Sequence, residues 1–224
     1  MTKDDLKKVI NEVITKTFAR LEYVYQHHRE IPKGSGAINF KEGESRLVFP
    51  MYGEHQNNTT RISEQELRFA FVETFNEYCK DKNLNLFYSV ETPTKDTYSG
   101  FANGNPKADP KGRSAEFDLV VYNEKLERVC LIEFKAKNAD TIDHTKDFCK
   151  LDNQIEGTDD VLRFFVEILK SYNTATVDSL KRKIEQSNDK RFVFRCYALE
   201  GKSQRDNEDE DKSDKKDISD KFER

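Results

Sequence analysis

Apolar residues recur at Leu6, Val9, Ile10, Val13, Phe18, Leu21 and Val24. Steps of three and four with a polar opposite face predict an amphipathic helix over residues 4–28, packed on the rest of the chain. Pro32 and "KGSG" end it, and up to about residue 60 no period is sustained apart from a short apolar piece, "RLVFPMY". Helical spacing returns from Ser63 to about Asp81. Ser63 is a good N-cap, and Glu66 three positions on completes a capping box, which gives Glu66 a structural job. Leu67, Phe71, Phe75 and Tyr78 form one stripe of this helix. Glu64 falls within the stripe, whereas Glu66, Glu73 and Glu77 fall on the far side. A carboxylate at the head of a core-facing stripe needs an explanation.

Five β-branched and aromatic runs then read as strands: "NLFYSVETPT" (85–94), "RSAEFDLVVYN" (113–123), "RVCLIEFKAKN" (128–138), "VLRFFVEILK" (161–170) and "RFVFRCYALE" (191–200). A helix from Thr141 to Ile155, stopped near Gly157, separates the third strand from the fourth; another over 176–187 precedes the fifth. The order helix, three strands, helix, strand, helix, strand predicts an α/β fold, a mixed sheet flanked by helices. Residues 93–114, rich in Gly, Pro and Lys, form a long loop leading into the second strand. That loop is either a nucleic-acid contact or an insertion with ordinary surface charge. In the third strand Glu133, Lys135 and Lys137 point one way, and Cys130, Ile132, Phe134 and Ala136 the other. One face packs; the other holds charge.

Composition narrows the class. The 224 residues suffice for one domain with additions: a helix and irregular extension over 1–60, a core over 61–200, and a tail over 201–224 so charged that disorder is expected there. A net charge of -4 argues against coating nucleic acid through bulk positive charge, although the acidic tail masks a body able to carry a local basic patch. No apolar run is long enough to cross a bilayer, and Cys79, Cys130, Cys149 and Cys196 are scattered without a CxxC pair. A cytoplasmic protein with buried thiols and no membrane partner is the expectation. His27, His28, His55 and His144 lack metal spacing and receive no role. No phosphate-binding glycine loop and no recognisable nucleophilic Ser or Cys is present.

If Tyr122 faces Val129 in the hairpin of the second and third strands, Asp118 lies opposite Glu133, about 5 Å away on one face. Two carboxylates so placed invite a cation, and a hard divalent ion with oxygen ligands suits them, with Lys135 beside it. The bland alternative is a cross-strand ion cluster on a solvated sheet face.

A helix acid, a later strand Asp, an apolar strand reading E-x-K and a following helix with Lys resemble the PD-(D/E)XK nuclease superfamily, over roughly Ser63 to Leu199. Phe117 stands where the name-giving proline would be. The resemblance implies a restriction-endonuclease-like mixed sheet with an αβββαβ core plus the extra N-terminal helix, and Mg²⁺-dependent hydrolysis of phosphodiesters, most readily in DNA, with Mn²⁺ able to substitute. It implies that Asp118, Glu133, Glu64 and the Phe134 carbonyl hold metal and that Lys135 assists catalysis. Lys146 or Lys150 contacts phosphate, and Arg113, Ser114 and Lys137 stand near enough to help. The other reading keeps the fold and gives up the chemistry: a module that binds nucleic acid or protein. A second copy of the chain or a protein partner would then dock on the N-terminal helix.

Overall fold

The apolar period at the N-terminus forms α1 (Lys3–His28), and the stripe after Ser63 forms α2 (Glu64–Lys82). The structure, a computed structural model, describes residues 1–28, 45–50, 60–100, 106–137, 139, 141–172, 174–186, 192–202 and 217–219. The capping box forms: the Ser63 amide donates to Glu66 at 2.9 Å, and Arg61 holds the other Glu66 oxygen at 2.6 Å. Asn83 ends α2 in the left-handed conformation, φ 51°, an ordinary helix stop.

Six strands follow: β1 (Phe87–Ser99), β2 (Lys107–Ala108), β3 (Arg113–Tyr122), β4 (Arg128–Ala136), β5 (Leu162–Tyr172) and β6 (Val193–Lys202). Helix α3 (Thr141–Asp152) joins β4 to β5, and α4 (Thr174–Gln186) joins β5 to β6. The sheet order is β2-β1-β3-β4-β5-β6, antiparallel as far as β4 and parallel beyond it. The expected α/β architecture is present, a mixed sheet flanked by helices with an N-terminal helix added. Phe18, Phe71 and Phe75 of α1 and α2 pack against Ile132, Phe134 and Val166 on one face of the sheet. Phe148, Leu151 and Leu180 of α3 and α4 pack against Val120, Leu131 and Phe165 on the other. Central strands covered on both sides read as near-continuous apolar runs, which explains the composition of β4 and β5.

Three expectations change, and a fourth holds. Residues 93–114 are largely strand rather than loop, because β1 continues past Pro93 through a register shift and pairs with β2; 101–105 lie outside the described residues. Helix α3 stops at Asp152 instead of Ile155, where the Asn153 side chain accepts the Ile155 amide at 3.0 Å and turns the chain. Of the tail expected to be disordered, residues 217–219 have a defined place. Ile218 is buried in the core, its amide donates to the Cys196 carbonyl at 3.0 Å, and Asp217 bridges Tyr197. Strand β6 is the last of the sheet, and its open backbone groups give the returning tail a place to dock. Arg195 of β6 ties α1 to residues 217–219, bonding Asp217 and Asn11 at 2.7 Å each and Ser219 at 3.0 Å. Finally, α1 buries Ile10, Val13, Phe18 and Leu21 inside the fold, so a partner at this helix meets only its polar side. Among the described residues no helix is long and apolar enough to cross a membrane.

Candidate functional site

The β3–β4 ladder sets Val121 opposite Cys130, Val120 opposite Leu131 and Leu119 opposite Ile132. The ladder ends there, and Asp118 is near enough to Glu133 for its charge to be felt on that carboxyl. The turn end differs from the expected register: Tyr122 pairs with Arg128, not Val129, because a shift between Val121 and Tyr122 leaves Val129 as the extra residue. At the other end the Asp118 carboxylate accepts the Phe134 amide at 2.7 Å. A side chain therefore takes a main-chain donor of β4 at the point where the charged residues begin.

The charged face of β4 is not solvated. Helix α3 lies over it, leaving Glu133 1% and Lys135 8% exposed, and it brings in Asp147 at 6%. Lys150 sits 2.6 Å from Glu133, 2.8 Å from Asp147 and 2.8 Å from the Glu116 carbonyl. Lys135 sits 2.7 Å from the other oxygen of Asp147, and 3.3 Å from both Glu64 and the Phe134 carbonyl. Asp147 thus bridges the two ammonium groups. Each of them touches two carboxylates and one backbone carbonyl.

Burial is the largest influence on Glu64, Glu133, Lys135, Asp147 and Lys150, and the ion pairs oppose it. It pushes the Glu133 carboxyl well above its ordinary range, with Lys150 pulling it back down. Burial also raises Glu64, to which the neighbouring Asp118 adds, while Lys135 works the other way. For Asp147 burial is outweighed by Lys150 and Lys135, and the carboxyl is held below the usual range. Burial would lower both lysines, yet Asp147 and Glu64 keep Lys135 raised, and Glu133 and Asp147 keep Lys150 raised. Both therefore stay protonated at neutral pH, and neither serves as a base.

The structure brings Glu64, Asp118, Glu133, Lys135, Lys150 and the Phe134 main chain together; the other expected residues lie outside. Lys137 is exposed and leaves the strand with φ 64°, so it does not share the face of Glu133 and Lys135 as alternation predicts. Lys146 pairs with Asp143 at 3.2 Å and stands apart from the buried cluster, whereas Lys150 joins it. Arg113 and Ser114 are exposed at the start of β3, and the Ser114 hydroxyl is engaged with Thr94 and Ala115. Neither joins the cluster. Asp147 is the residue that sequence reasoning missed. Its signal was available: His144, Asp147 and Lys150 repeat every third residue along the face of α3 that also carries Phe148 and Leu151.

A second buried pair adjoins the site. Glu167 of β5 stands beside Lys135 in register and meets His144 at 3.2 Å, both fully buried, with the imidazole stacked on Phe165. Burial raises the Glu167 carboxyl and His144 counters it.

The donor set of Glu64, Asp118, Glu133 and the Phe134 carbonyl is all oxygen and suits a hard divalent ion. Charge agrees: four carboxylates, counting Asp147, face two ammonium groups, a formal excess of two negative charges. The arrangement differs, since among the described residues no group of three His, Cys, Asp or Glu is set to hold a metal, and lysines stand between the carboxylates. The residues fit such an ion in chemistry and charge, with the lysines in its way. Compared with family models, curated proteins and solved structures, the chain matches none.

Proposed function

We propose that this protein is a Mg²⁺-dependent nuclease of the PD-(D/E)XK type, built on a restriction-endonuclease-like version of its mixed sheet and acting on phosphodiester bonds, most readily in DNA. The observation that carries the reading is the buried constellation around Glu133: carboxylates from α2, β3 and β4 at one end of the sheet, short of two positive charges, with protonated lysines among them. A packed core has no use for such a group, since burying charge costs several kcal/mol per ion, of order, before pairing repays it.

In this reading Glu64, Asp118, Glu133 and the Phe134 carbonyl hold the ion, which when bound supplies Lewis-acid stabilisation to a phosphodiester. Lys135 contributes a fixed positive charge and a donor. Held by Asp147, it orients the attacking water or offsets charge gathering on the phosphate. Lys150, on the helix that closes the site, meets a phosphate oxygen. Manganese substitutes for magnesium because the ligands are hard oxygens.

One observation favours a second reading. The carboxylates are paired with lysines in a closed arrangement, as in a polar cluster that fixes how α3 seats on the sheet. The protein would then be a module binding nucleic acid or another protein. Incubation with plasmid, linear duplex, single-stranded DNA and RNA, with Mg²⁺, Mn²⁺ or EDTA, separates the two. The nuclease reading expects metal-dependent cleavage that Lys135→Ala abolishes; no cleavage on any substrate, with a melting temperature indifferent to either metal, supports the module.

A further inference from the structure

Strand β6 is the edge of the sheet, and residues 217–219 lie along it. Each of the three is held by a different chemistry. The Asp217 carboxylate meets the Arg195 guanidinium at 2.7 Å. Ile218 is 1% exposed, in the apolar cluster that includes Leu180, Phe194 and Ala198, and its amide donates to the Cys196 carbonyl at 3.0 Å. The Ser219 hydroxyl accepts from the Cys196 amide and from Arg195 Nε, each at 3.0 Å. The receiving side is held in place by other groups. Asn11 and Thr15 of α1 accept from the Arg195 guanidinium at 2.7 and 3.3 Å, and it lies over the ring of Phe18. Those partners orient the cation and give it no negative charge. Among the described residues, Asp217 is the carboxylate it meets.

We propose that the outer edge of β6 is a recognition site for an extended peptide bearing a carboxylate, an aliphatic side chain and a hydroxyl in succession, filled here by residues 217–219, and that a partner protein presenting such a segment binds there. The site is separate from the Glu133 cluster and needs no metal. An edge strand offers its main-chain groups to any extended chain, so side chains set the choice of partner. Arg195 selects the acid, the apolar cluster selects the aliphatic group, and the Cys196 amide selects an oxygen. Among the described residues the tail forms one bridge with this ten-residue strand, Asp217 with Tyr197. A longer segment of the same chemistry gains ladder bonds beyond that bridge. Residues 203–216, which join the bound segment to β6, are far more chain than a tight turn needs and hold no large apolar residue. So long a link presents the segment to its site at a finite local concentration, about millimolar, which a partner can exceed in affinity.

Fluorescence anisotropy on the full chain tests the proposal, with a labelled peptide of residues 215–221, KKDISDK, as the probe. Ile218→Asp, which releases the chain's own segment, should bind the probe about tenfold or more tightly than wild type, whose segment competes from within. Adding Arg195→Gln to that variant, or replacing the probe's isoleucine by aspartate, should weaken binding about tenfold or more. Hydrogen exchange gives a reading without substitution: the wild-type Ile218 amide should exchange far faster than the Phe165 amide at the centre of the sheet, and equal protection overturns the proposal. A folded Ile218→Asp that does not bind the probe overturns it, as does binding indifferent to the probe's isoleucine, which is charge attraction alone. An Ile218→Asp chain that cannot fold makes Ile218 a fixed part of the core and overturns it too. So does elution of that variant as a dimer that ignores the probe, since the occupant is then a second copy.

Discussion

The two faces of β4 are made from alternate residues of one nine-residue strand and could hardly differ more. Toward α1 and α2, Ile132 and Phe134 enter a continuous apolar layer in which Phe134 lies 5.4 Å from the ring of Phe71. Toward α3, Glu133 and Lys135 are as deeply covered, yet their neighbours are Asp147, Lys150 and Asp118. The first face is what a fold needs. The second carries charge that a hydrophobic replacement of similar volume would replace at no loss of stability. Burial alone therefore does not identify an apolar core: one side of the strand enters a hydrophobic layer and the other an ion-paired cluster.

Substitutions can break this contrast, beginning with the largest effect. Phe134→Ala should cost about 3–5 kcal/mol of unfolding free energy in denaturant titration, as expected for an aromatic lost from a packed layer. Lys150→Met alone should cost about 3 kcal/mol by leaving Glu133 buried and unpaired. Replacing Glu133, Lys135, Asp147 and Lys150 together by Leu or Met should recover that loss or add about 1–4 kcal/mol. If the fourfold variant proves far less stable than wild type, the charged face is structural after all. Asp118→Asn should lower cleavage about a hundredfold, near 2.7 kcal/mol of barrier, while shifting the melting temperature little, since an amide oxygen still accepts the Phe134 N–H.

Acid sharpens the same contrast. Asp147 is held below its ordinary value of 3.8, so its contribution to stability is present above about pH 4 and lost as the pH falls through the lowered value. Asp147→Asn should therefore show a shallower loss of stability below pH 4 than wild type in pH-dependent denaturation. The smallest effect is expected at Glu64, the most open member with its side chain 42% exposed. Glu64→Gln should change stability by less than about 1 kcal/mol, while still reducing the rise in melting temperature produced by Mn²⁺.

The order of elements was legible because each announces itself locally: the heptad-like spacing of α1, the Ser63 and Glu66 capping box, and the apolar runs of β4 and β5. That Asp118 comes near Glu133 was legible from strand alternation and a short turn, even though the bulge at Tyr122 moved the pairing at the turn itself. Asp147 was not found, because a helix residue acquires a partner on a sheet only once the crossover is seated, and attention to basic residues in α3 passed over an acid on its buried side. Lys137 failed for a different reason. Alternation assumes the strand continues, and one residue with φ 64° ends it. The docking of Ile218 was not found because the charged tail holds only two large apolar residues, Ile218 and Phe222, too few for a period to be read.

Arg195 gives the molecule a property of its architecture as a whole. One guanidinium, lying over the ring of Phe18, is bonded to the first helix through Asn11 and to the last described residues through Asp217 and Ser219. A single side chain thus couples α1 to residues 217–219, so that a substitution at Asn11 is felt at Asp217 and one at Asp217 is felt on α1.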